Sequence, residues 1–254
     1  MPEVSRQRRW LFALPVDLMT APEVIEEVMD RVREHGSHPL RLLTLNPEMV
    51  MRARKNPAYA ACFQDEALVL MDGIGIAIAG WRRGWPDIHR LPGVDFLIKM
   101  MEAAAEQSVP IFFYGGLPGV AEQAARALVA RYPSLRVAGT SHGYLSPDEE
   151  ERLPEKIAAT GAKIVLAGLG APRQELWLAA NLERTGAKIG MGVGGSMDVL
   201  SGRAPRAPRL LRRLGLEWAY RLWRDPWRWR RLLVLPGFLW LAVWPSRRER
   251  SVRL

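Results

Sequence analysis

Asp72 ends an apolar run, Ala67–Met71, and stands directly before Gly73. A carboxylate buried beside a site binds its proton more tightly and serves as a general base. The same residue before glycine also suits a turn cap. Thr44 and Asn46 close a second apolar run, Leu40–Leu45. They would project into the same crevice, or simply form the turn before Pro47. Arg90, in Asp87-Ile-His-Arg-Leu-Pro92, could hold a sugar or a phosphate, or be a solvated charge. Gln174 falls at a helix start, where it would face a bound anion or cap the helix. Asp198 could bond ribose hydroxyls or merely begin the short helix to Leu200.

Four glycine-rich turns accompany these residues, at 72–75, 115–119, 168–170 and 192–195. Each follows an expected strand. In open α/β sheets ligands bind at the carboxyl ends of strands, and glycine there lets backbone N–H groups approach phosphates at the next helix start. Any one pair is also an ordinary tight turn; four in one topological position point to a nucleotide or nucleotide-sugar site. Gly115, Gly116, Gly168, Gly170 and Gly194 are the expected contacts. No loop completes a dinucleotide fingerprint: Ile78 and Arg173 stand where third glycines belong. There is no P-loop and no Asp-x-Asp pair to hold a metal on a diphosphate.

The elements that must position these groups alternate between strand and helix patterns, which predicts an α/β fold with a mainly parallel sheet flanked by helices. Strands are expected at Trp10–Leu14, Leu40–Leu45, Ala67–Met71, Pro110–Tyr114, Leu135–Ala138, Lys163–Ala167 and Lys188–Met191. Thr20-Ala-Pro-Glu23 is a capping box for a helix to about Glu34. Further helices are expected to about Gln64, over Pro92–Glu106 and Pro118–Arg131, and from Pro147. The Arg/Pro-rich Ser201–Pro208 marks a boundary between a catalytic core, 1–202, and an appendage, 203–254.

Charge divides at the same place. The chain of 254 residues carries +9 overall. Residues 203–254 hold fourteen arginines and three acids, a net +11, and the first 202 residues are at −2. Six of the ten tryptophans also lie in the appendage. Arg221, Arg224, Arg228 and Arg231 would share one face if 209–232 is one helix. Leu232–Trp244 is apolar but broken by Pro236-Gly237, too short to span a membrane, and reads as an interfacial segment beside arginines suited to anionic head groups. Elsewhere no run reaches the ~20 apolar residues of a spanning helix. The apolar stretch before Pro15 is too short for a signal-peptide core. The single cysteine, Cys62, excludes a disulfide scaffold, so the protein is expected in the cytoplasm, peripheral at the inner face of the membrane.

Thr44-x-Asn46, Met71-Asp72-Gly73, Tyr114-Gly-Gly-x-Pro-Gly119, His142-Gly-Tyr144, Gly168-x-Gly-x-Pro-Arg-Gln-Glu175, Gly192-Val-Gly-Gly-x-x-Asp198 and Arg206-Ala-Pro208…Gly215-Leu-Glu-Trp218…Tyr220-Arg221 occur in that order. The set, from about residue 10 to 231, resembles the WecG/TagA/CpsF glycosyltransferases. The resemblance implies a Rossmann-like core with a membrane-targeting appendage. It implies transfer of a sugar from a UDP-sugar to a polyprenyl-diphosphate-linked sugar, with inversion and without a metal. It assigns Asp72 as base and Thr44, Asn46, Arg90 and Gln174 to the substrate pocket. Arg221, Arg228 and Arg231 would bind the diphosphate. Tyr144 and Asp198 fall in family motifs and join the glycines as expected nucleotide contacts. Met197 departs from the pattern, in which an aromatic often precedes the aspartate.

The expected donor is UDP-N-acetylmannosamine, with UDP-glucose and the mannosaminuronic acid as alternatives. No cofactor is expected. The partners are the donor, the lipid-linked acceptor and an anionic membrane surface, with homo-oligomerisation open. A nucleic-acid binder is the rival suggested by the charge, but an apolar run of thirteen residues within the cationic segment is not something DNA requires. A nicotinamide-dependent oxidoreductase would want a complete glycine fingerprint. A nucleotide-sugar sensor without catalysis would be indifferent to loss of the Asp72 charge.

Overall fold

A computed structural model describes residues 7–34, 36–64, 66–213, 216–224, 229 and 233–243. It is α/β, as expected. The strands are β1 (Arg8–Leu11), β2 (Leu14–Asp17), β3 (Leu40–Leu45), β4 (Ala67–Met71), β5 (Ile111–Gly115), β6 (Val137–Ser141), β7 (Ile164–Gly168) and β8 (Ile189–Gly192). Strands β3 to β8 form one parallel sheet in the order β4-β3-β8-β7-β5-β6. Side chains alternate across it. Leu40, Leu42, Leu68 and Leu70 face a core built on helices α1 (Ala21–Arg33), α5 (Gly93–Glu106) and α6 (Val120–Arg131). Leu43, Leu45, Val69 and Met71 face the opposite core, with α2 (Pro47–Ala53), α3 (Pro57–Ala61) and α4 (Ile74–Arg82). Both faces are covered, which is why these strands read as continuous apolar runs. Helix α1 starts with the expected capping box: Thr20 accepts from the Glu23 N–H, and the Glu23 carboxylate accepts from the Thr20 N–H at 2.6 Å.

The expected strand Trp10–Leu14 is instead the turn of a hairpin. Strands β1 and β2 pair antiparallel around Phe12 and Ala13, at φ 53° and 65°. Two residues with φ > 0 fit the primed turns that hairpins favour, but the usual Asn-Gly signal is missing here. Tertiary packing holds Phe12 there: the Arg83 guanidinium lies 4.7 Å above its ring. The hairpin also protects the sheet edge. Asp17 accepts from the Val69 N–H at 2.8 Å and is paired with Arg8, which in turn donates to the Ala67 carbonyl at 2.7 Å. The edge N–H of β4 thus finds a buried partner without a further strand.

Helix α4 carries no clear helical period, because Gly75 and Gly80 interrupt it. A Cβ at Gly75 would lie 2.7 Å from Pro47, and one at Gly80 would lie 2.7 Å from Trp85. These glycines are where other elements press against the helix.

Four further helices follow: α7 (Pro147–Glu151), α8 (Leu153–Ala159), α9 (Arg173–Asn181) and α10 (Ser196–Leu200). The single helix expected over 209–232 is not continuous: α11 (Arg209–Arg213) and α12 (Glu217–Arg224) are separate, with Leu216 between them outside either helix. Pro236 does not break the last apolar segment. It sits in the first turn of α13 (Val234–Val243), where a missing N–H costs nothing. Helix α13 does not lie free. Phe238 and Ala242, one turn apart, are fully buried against α2 and α4, and Phe238 meets Phe12 edge-on at 6.0 Å. Burying one phenylalanine contributes about 3 kcal/mol. The other face of α13 leaves Leu239 and Trp240 exposed. Among the described residues no helix is long and apolar enough to cross a membrane.

Candidate active site

The register of β3 and β4 fixes the first group of site residues. Thr44 pairs with Leu70 and Leu45 with Met71. The Asp72 N–H then donates to the Leu45 carbonyl at 2.9 Å, continuing the ladder one step past the strands. Asp72 therefore lies across from Asn46 in the continued backbone register, and Asp72 shares the α5 face with Thr44. The N-terminus of α5 closes over them. A Cβ at Gly93 would be 3.6 Å from Thr44 Oγ1 and 3.7 Å from Asp72 Oδ2. Thr44 and Asp72 thus converge on one point, half-buried, at a helix start that favours negative charge. Asn46 caps α2, its Oδ1 accepting from the Met49 N–H at 3.0 Å. The turn before Pro47 is realised, and the Asn46 side-chain oxygen is engaged in that cap.

Arg90 reaches the same neighbourhood from the loop after α4. The Leu91 N–H donates to the Met71 carbonyl at 2.9 Å, pinning this loop beside Asp72. Arg90 itself donates to the Arg212 carbonyl at 2.9 Å. Asp95, in the first turn of α5, pairs with Arg206 at 2.7 Å and Arg212 at 3.3 Å. The first part of the appendage is therefore tied to the core two residues from Gly93. Nothing in the sequence singled out Asp95, an ordinary first-turn acid, and Arg212 is one arginine among fourteen.

The second group is the glycine loops. Any Cβ on Gly115 would lie 2.5 Å from the Gly168 carbonyl, and Gly116 donates to that carbonyl at 3.0 Å. Gly143 donates to the Gly116 carbonyl at 2.8 Å. The loops after β5, β6 and β7 are thus laced together by backbone contacts that only glycine allows. Met197 packs beneath Gly168, whose added Cβ would meet it at 3.1 Å.

Gln174 joins the loop after β7 to that after β8. Its Oε1 accepts from Gly170 N–H at 3.1 Å and from Gly194 N–H at 3.0 Å. Its Nε2 donates to Glu175 at 2.7 Å. Gln174 is buried, so its amide braces the loops rather than capping the helix. Burial pushes the fully buried Glu175 carboxyl above its ordinary range, against the hydrogen bonds from Gln174 and Tyr59.

Asp198 is half-buried in α10, its carbonyl receiving Ser201 Oγ at 2.9 Å. Tyr144 is 67% exposed at the end of β6. Strands β4 and β6, which lead to Asp72 and toward Tyr144, are the two edges of the sheet, but the loop after β6 folds back so that Gly143 lies against Gly115 and Leu169. The structure brings Thr44 and Asp72 together at Gly93, with Asn46 next in backbone register and the Arg90 loop pinned to Met71, and it joins Gly170, Gln174 and Gly194 in the loops after β7 and β8. Tyr144 follows Gly143, whose carbonyl accepts from Arg173 at 2.7 Å. Arg221 lies in α12 with its side chain outside the described residues, and Arg228 and Arg231 fall outside them altogether. A hollow of about 540 Å³ between α7 and α9, lined by Glu150, Arg173 and Trp177, includes none of the Asp72 group.

The glycosyl transferase WecG/TagA/CpsF family matches residues 9–252. A relative from Bacillus spizizenii is 34% identical over 198 residues, covering 78% of this chain and 76% of its own length. One from Staphylococcus aureus is 29% identical over 243 residues, 96% of this chain and 95% of its own. Both are named N-acetylglucosaminyldiphosphoundecaprenol N-acetyl-beta-D-mannosaminyltransferase. A parallel sheet with its strand-end loops drawn together, matched over nearly its whole length, places this chain in the WecG/TagA/CpsF glycosyl transferase family.

Proposed function

We propose that this glycosyltransferase moves N-acetylmannosamine from UDP-N-acetylmannosamine to N-acetylglucosaminyl-diphosphoundecaprenol, with inversion and without a metal. The observation that carries the reading is the convergence of Asp72 and Thr44 at Gly93, in a chain 34% identical over 198 residues to a relative named N-acetylglucosaminyldiphosphoundecaprenol N-acetyl-beta-D-mannosaminyltransferase. Asp72 removes the proton from an acceptor hydroxyl as its oxygen attacks the anomeric carbon. The bond from that carbon to the UDP oxygen breaks on the opposite face, and configuration inverts. A single displacement needs one carboxylate base, whereas glycoside hydrolysis employs two carboxyl groups.

Thr44 and Asn46 hold sugar hydroxyls beside the base. The loops braced by Gln174, with Gly115, Gly116, Gly168, Asp198 and Tyr144 along the same crevice, receive the nucleotide. Charge on the departing diphosphate is met by arginines, Arg90 at the site and Arg221, Arg228 and Arg231 from the appendage. The appendage, cationic and with Leu239 and Trp240 exposed on α13, rests on the anionic inner face of the cell membrane, where the lipid acceptor lies.

The test is UDP release from a panel of UDP-sugars with a short polyprenyl-diphosphate-GlcNAc acceptor and EDTA present. Turnover with UDP-N-acetylmannosamine supports the reading. Turnover only with UDP-glucose or the uronic acid would move it to another donor, and absence of UDP binding would sink it. Binding to duplex DNA in preference to anionic vesicles would favour the nucleic-acid rival.

A further inference from the structure

Gln174 is an unusual brace, because its amide must point one way. Two N–H donors, from Gly170 and Gly194, converge on one end of it. Only oxygen can receive both. A primary amide in such a place can turn over by half a rotation, and the reversed form would set its NH₂ against two N–H groups. Something must decide the orientation, and the adjacent residue does. Glu175 is completely buried and accepts from Gln174 Nε2 at 2.7 Å. Its other oxygen accepts from the Tyr59 hydroxyl at 3.2 Å. Tyr59, in α3, is itself fully buried and lies edge-on to Phe63 at 5.3 Å. Burial and the nearby Glu175 push the phenol far up, so it stays a donor. A relay thus runs from α3 through Tyr59, Glu175 and Gln174 to the loops after β7 and β8.

Burying a carboxylate is costly even when it is hydrogen-bonded. Cohesion alone would be served better by an apolar side chain. What Glu175 adds is direction: an acceptor that fixes Nε2 and hence aims Oε1.

We propose that Glu175, held by Tyr59, is a positioning residue that locks the Gln174 amide and so presets the spacing of the Gly170 and Gly194 loops for the nucleotide. The consequence for nucleotide binding rests on the function proposed above. In Glu175→Gln the new amide can donate to Gln174 Oε1, turning Nε2 toward the two glycine N–H groups and parting the loops.

The experiment compares wild type, Glu175→Gln and Tyr59→Phe in the full chain. It measures amide hydrogen exchange without ligand, UDP affinity, and KM and kcat with UDP-N-acetylmannosamine. Glu175→Gln is expected to speed exchange at 168–175 and 192–196. UDP affinity should fall and donor KM rise about tenfold, with kcat within about threefold of wild type. Tyr59→Phe, which keeps the ring and loses only the hydroxyl, should move both readouts the same way by about threefold. It carries the test if Glu175→Gln does not fold. Unchanged exchange and unchanged UDP affinity in the folded variants would overturn the proposal. So would a lower melting temperature with KM unmoved, the mark of a merely structural role. If wild type itself binds no UDP, the nucleotide reading falls. The exchange rates then still decide whether Glu175 holds the loops.

Discussion

Asp95 and Arg206 meet at 2.7 Å across 111 positions of sequence, and the contact ties the appendage to the helix that closes over Asp72. Asp95 also receives Arg212, whose carbonyl in turn accepts from Arg90. Asp95→Asn should keep the fold, since the pair is partly exposed and worth about 1 kcal/mol. Limited proteolysis should nonetheless cut faster within 203–213, and turnover on lipid-linked acceptor should drop several-fold. Unchanged cleavage would show that the appendage is held elsewhere.

The two faces of α13 should separate by mutation. Phe238→Ala empties a fully buried site and should cost about 3 kcal/mol. Trp240 is 65% exposed, so Trp240→Ala should leave the melting temperature within a degree or two while weakening binding to anionic vesicles. Flotation with phosphatidylglycerol vesicles measures the second effect. Equal destabilisation by both variants would contradict the two-faced packing.

Gly115→Ala should be severe. At φ +135° its methyl group would press on the Gly168 backbone at 2.5 Å, and nothing there is a side chain that can yield. A loss of about 3 kcal/mol or more follows. Gly161, with no atom within 4 Å of its added Cβ, carries only the strain of φ +69°. Gly161→Ala should cost about 1 kcal/mol. Denaturant melts of the two variants give the comparison.

Stability should carry the signature of Glu175 as pH changes. Burial raises this carboxyl above its ordinary 4.5, so the folded chain holds the proton more tightly than the unfolded one. Its contribution is full below that ordinary value and is lost as pH rises through the raised one. The stability of wild type relative to Glu175→Gln should therefore fall from acidic toward neutral pH. Thermal melts of both proteins between pH 4.5 and 8 isolate the slope, because the other carboxylates are common to both. A difference that grows with pH would contradict the buried charge.

Much of the candidate site could be read from residue order because it follows the strands. Asp72 announces itself as a charge at the end of five buried apolar residues, and a strand end in a parallel sheet is where ligands bind. Thr44 and Asn46 follow from the same geometry. What stayed hidden depends on which strands are neighbours. That Gln174 spans Gly170 and Gly194 follows from β7 lying beside β8, and Tyr59 comes to Glu175 from 116 positions away. The hairpin turn at Phe12-Ala13 was hidden for another reason: its left-handed backbone carries no Asn-Gly signal, and Arg83 and Phe238, distant in sequence, pack on the Phe12 ring. Helix α13 reads as interfacial because its apolar residues continue round the helix, and only Phe238 and Ala242 reveal which side meets the core.

The most direct measurement is UDP release by Asp72→Asn with UDP-N-acetylmannosamine and a polyprenyl-diphosphate-GlcNAc acceptor, in EDTA. Asparagine keeps the shape and removes the base. Turnover should fall by about 10² to 10⁴, with UDP affinity within about threefold of wild type. Turnover at the wild-type rate in Asp72→Asn would contradict the account.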